Sequence, residues 1–174
     1  KFVDTTQEPH RHLGLLLAAD GADRWAERLY NERLRSISWR IRQWSRLPLT
    51  LQGRLEVAKV VLSSSLCYHQ QFVRAPSQVM QLINRKILAF ILNKGLISAE
   101  DSRPLRGVPA RAIACLPTAM GGIGQVDLQS HETALQAKVA AQLLHPRKAV
   151  WKQFMTASLE KAFPNLGPAV LTQA

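Results

Sequence analysis

Five arginines and one tryptophan recur along residues 24–46 at a spacing that would gather them on one side of a helix. At 100° per residue, Arg24, Arg28, Arg35, Arg42 and Arg46 fall within about 40° of one another, and Trp39 lies about 20° past that stripe. On nearly the opposite side, Trp44, Ile37, Tyr30, Ile41 and Leu34 fall within roughly 80°. Guanidinium groups beside a flat aromatic suit a phosphate backbone with an exposed base or sugar. An ordinary solvated helix face has the same appearance, so both readings stand at this point. Arg54 and Lys59 extend the set; Arg54 stands either against nucleic acid or as a tie between the first helix and the next.

Catalytic chemistry finds no comparable pattern, and no catalytic residue is assigned. Two-metal enzymes need a close, fixed pair of carboxylates. Glu100-Asp101 is adjacent but falls in a Pro-rich connection, and Asp20 and Asp23 read as a turn and a helix start. Ser63, Ser64 and Ser65 occupy the middle of an apolar helical stretch, where no nucleophile elbow forms, and read as a small-residue packing face. His69, near that helix's C-terminus, has a structural role as its default reading. His10 and His12 could face one way on a strand but lack a third ligand. Gly121-Gly122-Ile123-Gly124 lacks the Lys and Ser or Thr of a phosphate loop, and reads as a tight turn that lets two elements approach. No metal and no cofactor is expected.

The 174 residues suffice for one domain with a real core or two small ones. Lys and Arg number 23 against 12 Asp and Glu, a net charge of +11 that concentrates anionic partners. Residues 1–95 hold fifteen of those cations against seven acids, so the basic surface belongs mainly to the first half. Cys67 and Cys115 are far apart and without neighbours at ligand spacing, which argues against a disulfide scaffold or a zinc site. No apolar run approaches the roughly 18 residues that span a bilayer, and no secretory signal opens the chain. The expectation is an intracellular, soluble protein with no membrane partner, in a chain that begins inside a longer reading frame.

The elements that must position the arginine stripe follow from periodicity and punctuation. Residues 1–20 contain two short apolar runs, which fit a small hairpin. The first helix should end near Ser45 to Leu47, because Pro48 disfavours helical backbone just before it. Thr50 is placed to cap a second helix running to about Phe72, with Leu51, Leu55, Ala58, Leu62 and Leu66 on one face and Val57, Val60 and Val61 widening it. Ser77 caps a third, carrying Met80, Ile83, Ile87, Phe90 and Ile91, with a left-handed stop at Asn93 to Gly95. Residues 96–127 read as an extended connection with short ordered pieces. A fourth helix runs from about Leu128 to Leu144, and a fifth from Lys148 to Phe163 buries Trp151, Phe154, Met155, Leu159 and Ala162. The expected fold is mainly α: three bundled helices plus two more, after a short N-terminal β-hairpin.

Three segments in order resemble the region that follows the catalytic palm in non-LTR (LINE-type) retrotransposon reverse transcriptases. His12-Leu13-Gly14 resembles the aromatic-leucine-glycine element of the primer-grip hairpin, with His12 at the usual tyrosine. LTLQGRLEVAKVVLSSSLCYHQQFVRAPSQVMQLINRKILAFILNKG, residues 49–95, keeps Gly53-Arg54, the Ser64 and Tyr68 region, Pro76, and Phe90 before a closing glycine, with Leu92 where a tryptophan is common. Leu116-Pro117, Gly121-Gly122-Ile123-Gly124, Ala134-Leu135-Gln136-Ala137-Lys138 and Trp151 are similar to the family's downstream pattern, with Thr118 at the usual lysine.

The resemblance implies an end-of-palm hairpin at 1–20, a helical thumb at 21–95, and a connection with C-terminal helices at 96–174. It implies a fragment of a polyprotein that grips a template-primer duplex of RNA or DNA, packed against the upstream palm and fingers. The parent would be an RNA-directed DNA polymerase, found in nucleus and cytoplasm; this segment alone would not polymerise. A helical protein-interaction module, or a decayed or domesticated element without nucleic-acid binding, is the alternative.

Overall fold

Amphipathic helices of the expected period dominate the chain in a computed structural model that describes residues 10–12, 15–17, 22–93, 110–146 and 149–162. Strands β1 (His10–His12) and β2 (Leu15–Leu17) pair antiparallel, with His10 opposite Leu17. Two strands of this length are too short to stand as an independent unit. The expected hairpin domain is therefore not supported, and the fold class rests on the helices.

Helix α1 (Ala22–Trp44) ends one turn before Pro48, in a tight turn in which the Arg46 and Leu47 amides donate to the Gln43 and Trp44 carbonyls. Thr50 then caps the next helix, its hydroxyl accepting from the Gly53 amide at 3.1 Å. Residues 51–72 run as α2 (Leu51–Val57), a π-helical stretch (Ala58–Ser63) and α3 (Ser64–Phe72), with right-handed helical backbone at both junctions. In the wide turn the Ser64 amide donates to the Lys59 carbonyl five residues back. Helix α4 (Ser77–Ile91) has Pro76, not Ser77, as its N-cap, with no side-chain capping bond, and Ser77 is the first helical residue. The stop at Asn93 is left-handed, with φ of 54°.

Those helices enclose one core. Tyr30, Leu34, Ile37 and Ile41 of α1 meet Leu55, Ala58, Leu62 and Leu66 of the second helix, and Met80, Ile83, Ile87, Phe90 and Ile91 of α4. The apolar face expected for the second helix is narrower in fact: Leu51 and Val60 are exposed. Buried Tyr30 donates its hydroxyl to the Val73 carbonyl at 2.8 Å, just past the end of α3.

After α4, the described chain resumes with α5 (Arg111–Cys115) and a 3-10 turn (Thr118–Met120). Gly121 and Gly124 have φ of 81° and 68°, and a Cβ on Gly122 would fall 2.0 Å from the Leu116 carbonyl oxygen. The glycine cluster is thus a backbone crossing, folded back so that the Gln125 amide reaches the Ala114 carbonyl. Helix α6 (Leu128–Leu144) begins here, and its first residue, Leu128, joins the core.

The chain divides into two compact units, residues 1–132 and 133–174. In the second, the rest of α6 is followed by α7 (Val150–Ala162), where Trp151 and Met155 are exposed rather than buried as the periodicity suggested. The side chains of Phe154, Leu159 and Ala162, the Asp20-Gly21 turn, Glu100-Asp101 and the segment from Phe163 onward lie outside the described residues.

Candidate nucleic-acid interface

Helix α1 places its two stripes on opposite sides for the reason its sequence suggests. Burial of Tyr30, Leu34, Ile37 and Ile41 orients the helix, and a rigid 23-residue element then has no choice about where residues 180° away point. Arg28, Arg35 and Arg42 are exposed, and Trp39 is 59% exposed. An indole left that open gains nothing from burial, so its large flat face is available to a partner.

The cations differ in their local ties. Arg28 lies 3.9 Å from Glu32 one turn on, and its guanidinium sits 6.0 Å from the centre of the Trp25 ring. Such an exposed pair is weak and competes little with a phosphate. Arg46 falls beyond the helix end, in the turn, where it reaches the Gln43 side chain at 3.5 Å. Arg24 belongs to α1, but its side chain lies outside the described residues.

On the second helix, Arg54 is half-buried in the first turn of α2, and Lys59 pairs with Glu56 at 3.7 Å in the π-helical stretch. The tie between the two helices is made by Arg40, whose guanidinium donates to the Val61 carbonyl at 3.2 Å. Arg40 lies beside the apolar face of α1, not opposite it, and that offset was readable from the same projection.

A π turn leaves carbonyls off the regular ladder, and Ser64, Ser65 and Cys67 answer them. Ser64 donates to the Val60 carbonyl, Ser65 to Leu62 at 2.7 Å, and the Cys67 thiol to Ser63 at 3.7 Å. These hydroxyls are back-bonded, which gives Ser64 and Ser65 a structural task. Burial pushes both the Cys67 and Cys115 thiols up from their ordinary values, which holds them as thiols.

Polar side chains also secure the start of α6. Asp127 caps it, accepting from the Gln129 amide and the Ser130 hydroxyl, and pairs with Arg111 at 2.7 Å. Burial would raise that carboxyl, but the Arg111, Ser130 and Gln129 donors together outweigh it and hold Asp127 below its ordinary value. Glu132 accepts from the Ala75 amide at 2.7 Å, and here burial wins and pushes the carboxyl up. Gln70 of α3 donates to the Leu128 carbonyl at 3.1 Å and faces the His131 ring at 3.4 Å. Sequence patterning found neither the Arg111–Asp127 pair nor the Glu132 contact, because each joins residues far apart in the chain.

Among the described residues, no three His, Cys, Asp or Glu side chains group as a metal site, and no helix is long and apolar enough to cross a membrane. The side chains of His10 and His12 lie outside the described residues.

No protein family matches the chain, and no solved structure does. One similarity to a curated protein is found: an Arabidopsis thaliana protein provisionally named a ribonuclease H protein, 25% identical over 122 residues. The match covers 70% of this chain and 19% of that protein, so the chain spans about a fifth of its relative's length.

Proposed function

We infer that this chain is the nucleic-acid-gripping part of a retroelement-encoded polyprotein, and that it holds a template-primer duplex along the outer face of α1. The observation that carries this reading is the alignment of exposed Arg28, Arg35 and Arg42 with a 59% exposed Trp39 on one helix whose opposite side is core. Spacing of one to two helical turns between successive guanidinium groups follows a phosphate backbone, and the indole meets a sugar or base. The distant likeness to a protein named for ribonuclease H supports a retrotransposon-related origin and work on nucleic acid, without singling out a polymerase thumb. In this reading Arg24, Arg46, Arg54 and Lys59 add to the field, the β1–β2 segment is the end of a palm, and the palm and fingers lie upstream in the same polyprotein.

Duplex affinity measured against salt tests the proposal. Five neutralised phosphates give a slope of log affinity against log salt of about −4 to −5, and Arg35→Glu with Arg42→Glu flattens it. Affinity indifferent to salt and to both substitutions overturns the reading. A second reading has its own observation: Tyr68 and Phe72 are exposed on α3 with their rings in edge contact at 5.4 Å, an aromatic pair suited to a protein partner. A chain without duplex affinity at low salt, with protein binding that Phe72→Ser abolishes, favours that alternative.

A further inference from the structure

Charge is distributed unevenly along α1 and the turn after it. Residues 22–32 hold Arg24 and Arg28 against Asp23, Glu27 and Glu32, whereas residues 33–46 hold five arginines and no acid. Five guanidinium charges far exceed the roughly half unit of negative charge at a helix C-terminus, so an anion is drawn to this second half.

The three indoles of α1 differ as well. Trp25 is half-buried with the Arg28 guanidinium 6.0 Å from its ring centre, and Trp44 packs against the core. Trp39 is mostly exposed and meets no ring or cation among the described residues. Arg35 stands about 6 Å before it along the helix axis and Arg42 about 4.5 Å after it. Both are exposed, and neither pairs with an acid among the described residues.

An indole fixed to a rigid helix can stack only on a base face that it can reach. Inside a duplex both faces of each base are covered by its neighbours, and only edges and backbone are presented. An unpaired base has a free face, and stacking on it works for any base because each has one. Such a base also carries a phosphate on either side, so the order arginine, tryptophan, arginine matches the order phosphate, base, phosphate.

We propose that the C-terminal half of α1 receives an unpaired nucleotide where a single strand leaves a duplex end, its base on Trp39 and its two flanking phosphates on Arg35 and Arg42. This rests on the reading of α1 as a duplex-gripping face and narrows it. The substrate is a duplex with a single-stranded tail, held at the junction without regard to sequence.

Fluorescence anisotropy of the full chain tests it, using RNA–DNA duplexes that are blunt, that carry a short single-stranded tail, or whose tail keeps its phosphates but lacks bases. The tailed duplex is expected to bind about five- to a hundredfold more tightly than the abasic one, the range of one base–aromatic stack. Trp39→Ala should remove that advantage, and Trp39→Phe should keep most of it. The abasic comparison uses the unaltered chain, so it decides whatever the variants do to folding. Equal affinity for the two tails overturns the proposal, and so does an advantage that survives Trp39→Ala in a folded chain. Duplex binding that falls with salt and with Arg35→Glu and Arg42→Glu, but ignores the bases of the tail, removes the junction while the duplex reading stands. Base- and Trp39-dependent binding of the tailed duplex, with no affinity for the blunt one, supports the nucleotide site and removes the duplex grip. No binding to any of them at low salt overturns both.

Discussion

Helix α1 and the helix formed by residues 51–72 have almost the same length and the same neighbours, yet they present themselves differently. Along α1 one phase persists from Tyr30 to Ile41, so buried and exposed stripes stay opposite throughout. Along 51–72 a π turn interrupts the regular ladder at Ala58–Ser63, with Val60 exposed and Leu62 buried beside one another. The first helix can offer a continuous charged face to a long partner. The second is built as an internal strut, with Arg40 and the serine hydroxyls satisfying its displaced carbonyls.

Deletions give the largest test of this difference. Removing Ser36 from α1 rotates everything after it by about 100° and takes Ile37 and Ile41 out of the core, so the cooperative urea transition should vanish. Removing Val60 takes the extra residue out of the π turn and leaves both flanks in phase, so the chain should still fold cooperatively. Equal effects from the two deletions would break the contrast.

Single arginines sharpen it on a smaller scale. Arg40→Met should cost about 1–3 kcal/mol by denaturant unfolding, because the Val61 carbonyl loses its donor in a part-buried site. Arg35→Met, on the exposed stripe, should change stability by no more than about 0.5 kcal/mol. The two arginines thus separate stability from binding.

The smallest effect concerns pH. Because burial raises the Glu132 carboxyl, its protonated form is the one the fold favours. Its contribution is complete below the ordinary carboxylate range and is lost as pH rises through the raised value. Glu132→Gln keeps an acceptor for the Ala75 amide, so unfolding curves should show the variant gaining on the parent between mildly acid and neutral pH. A constant difference between the two would place the carboxyl in a more open setting than its contact with Ala75 indicates.

Local rules made much of this protein legible from its residues. The period of α1, the Thr50 cap, the Asn93 stop, the bounds of α6 and the crossing at Gly121 to Gly124 each follow from interactions within a few positions, which a sequence displays directly. The basic face with Trp39 was legible too, because a rigid helix with one buried side dictates its opposite side. The π turn escaped that reading, since a widened turn leaves the composition of a helix unchanged and is held by Arg40 from another element. The buried side-chain amides of Asn84 and Gln125, left without partners at Asn84 Nδ2 and Oδ1 and at Gln125 Oε1, escaped it as well: Asn84 sits on a helix and Gln125 on a loop 41 positions later, and no periodicity relates them. Sequence alone determined the helices and, in α1 and α4, the face each would bury. Tertiary packing decided which polar groups met a partner and which were buried without one, because desolvation depends on what arrives from elsewhere in the chain.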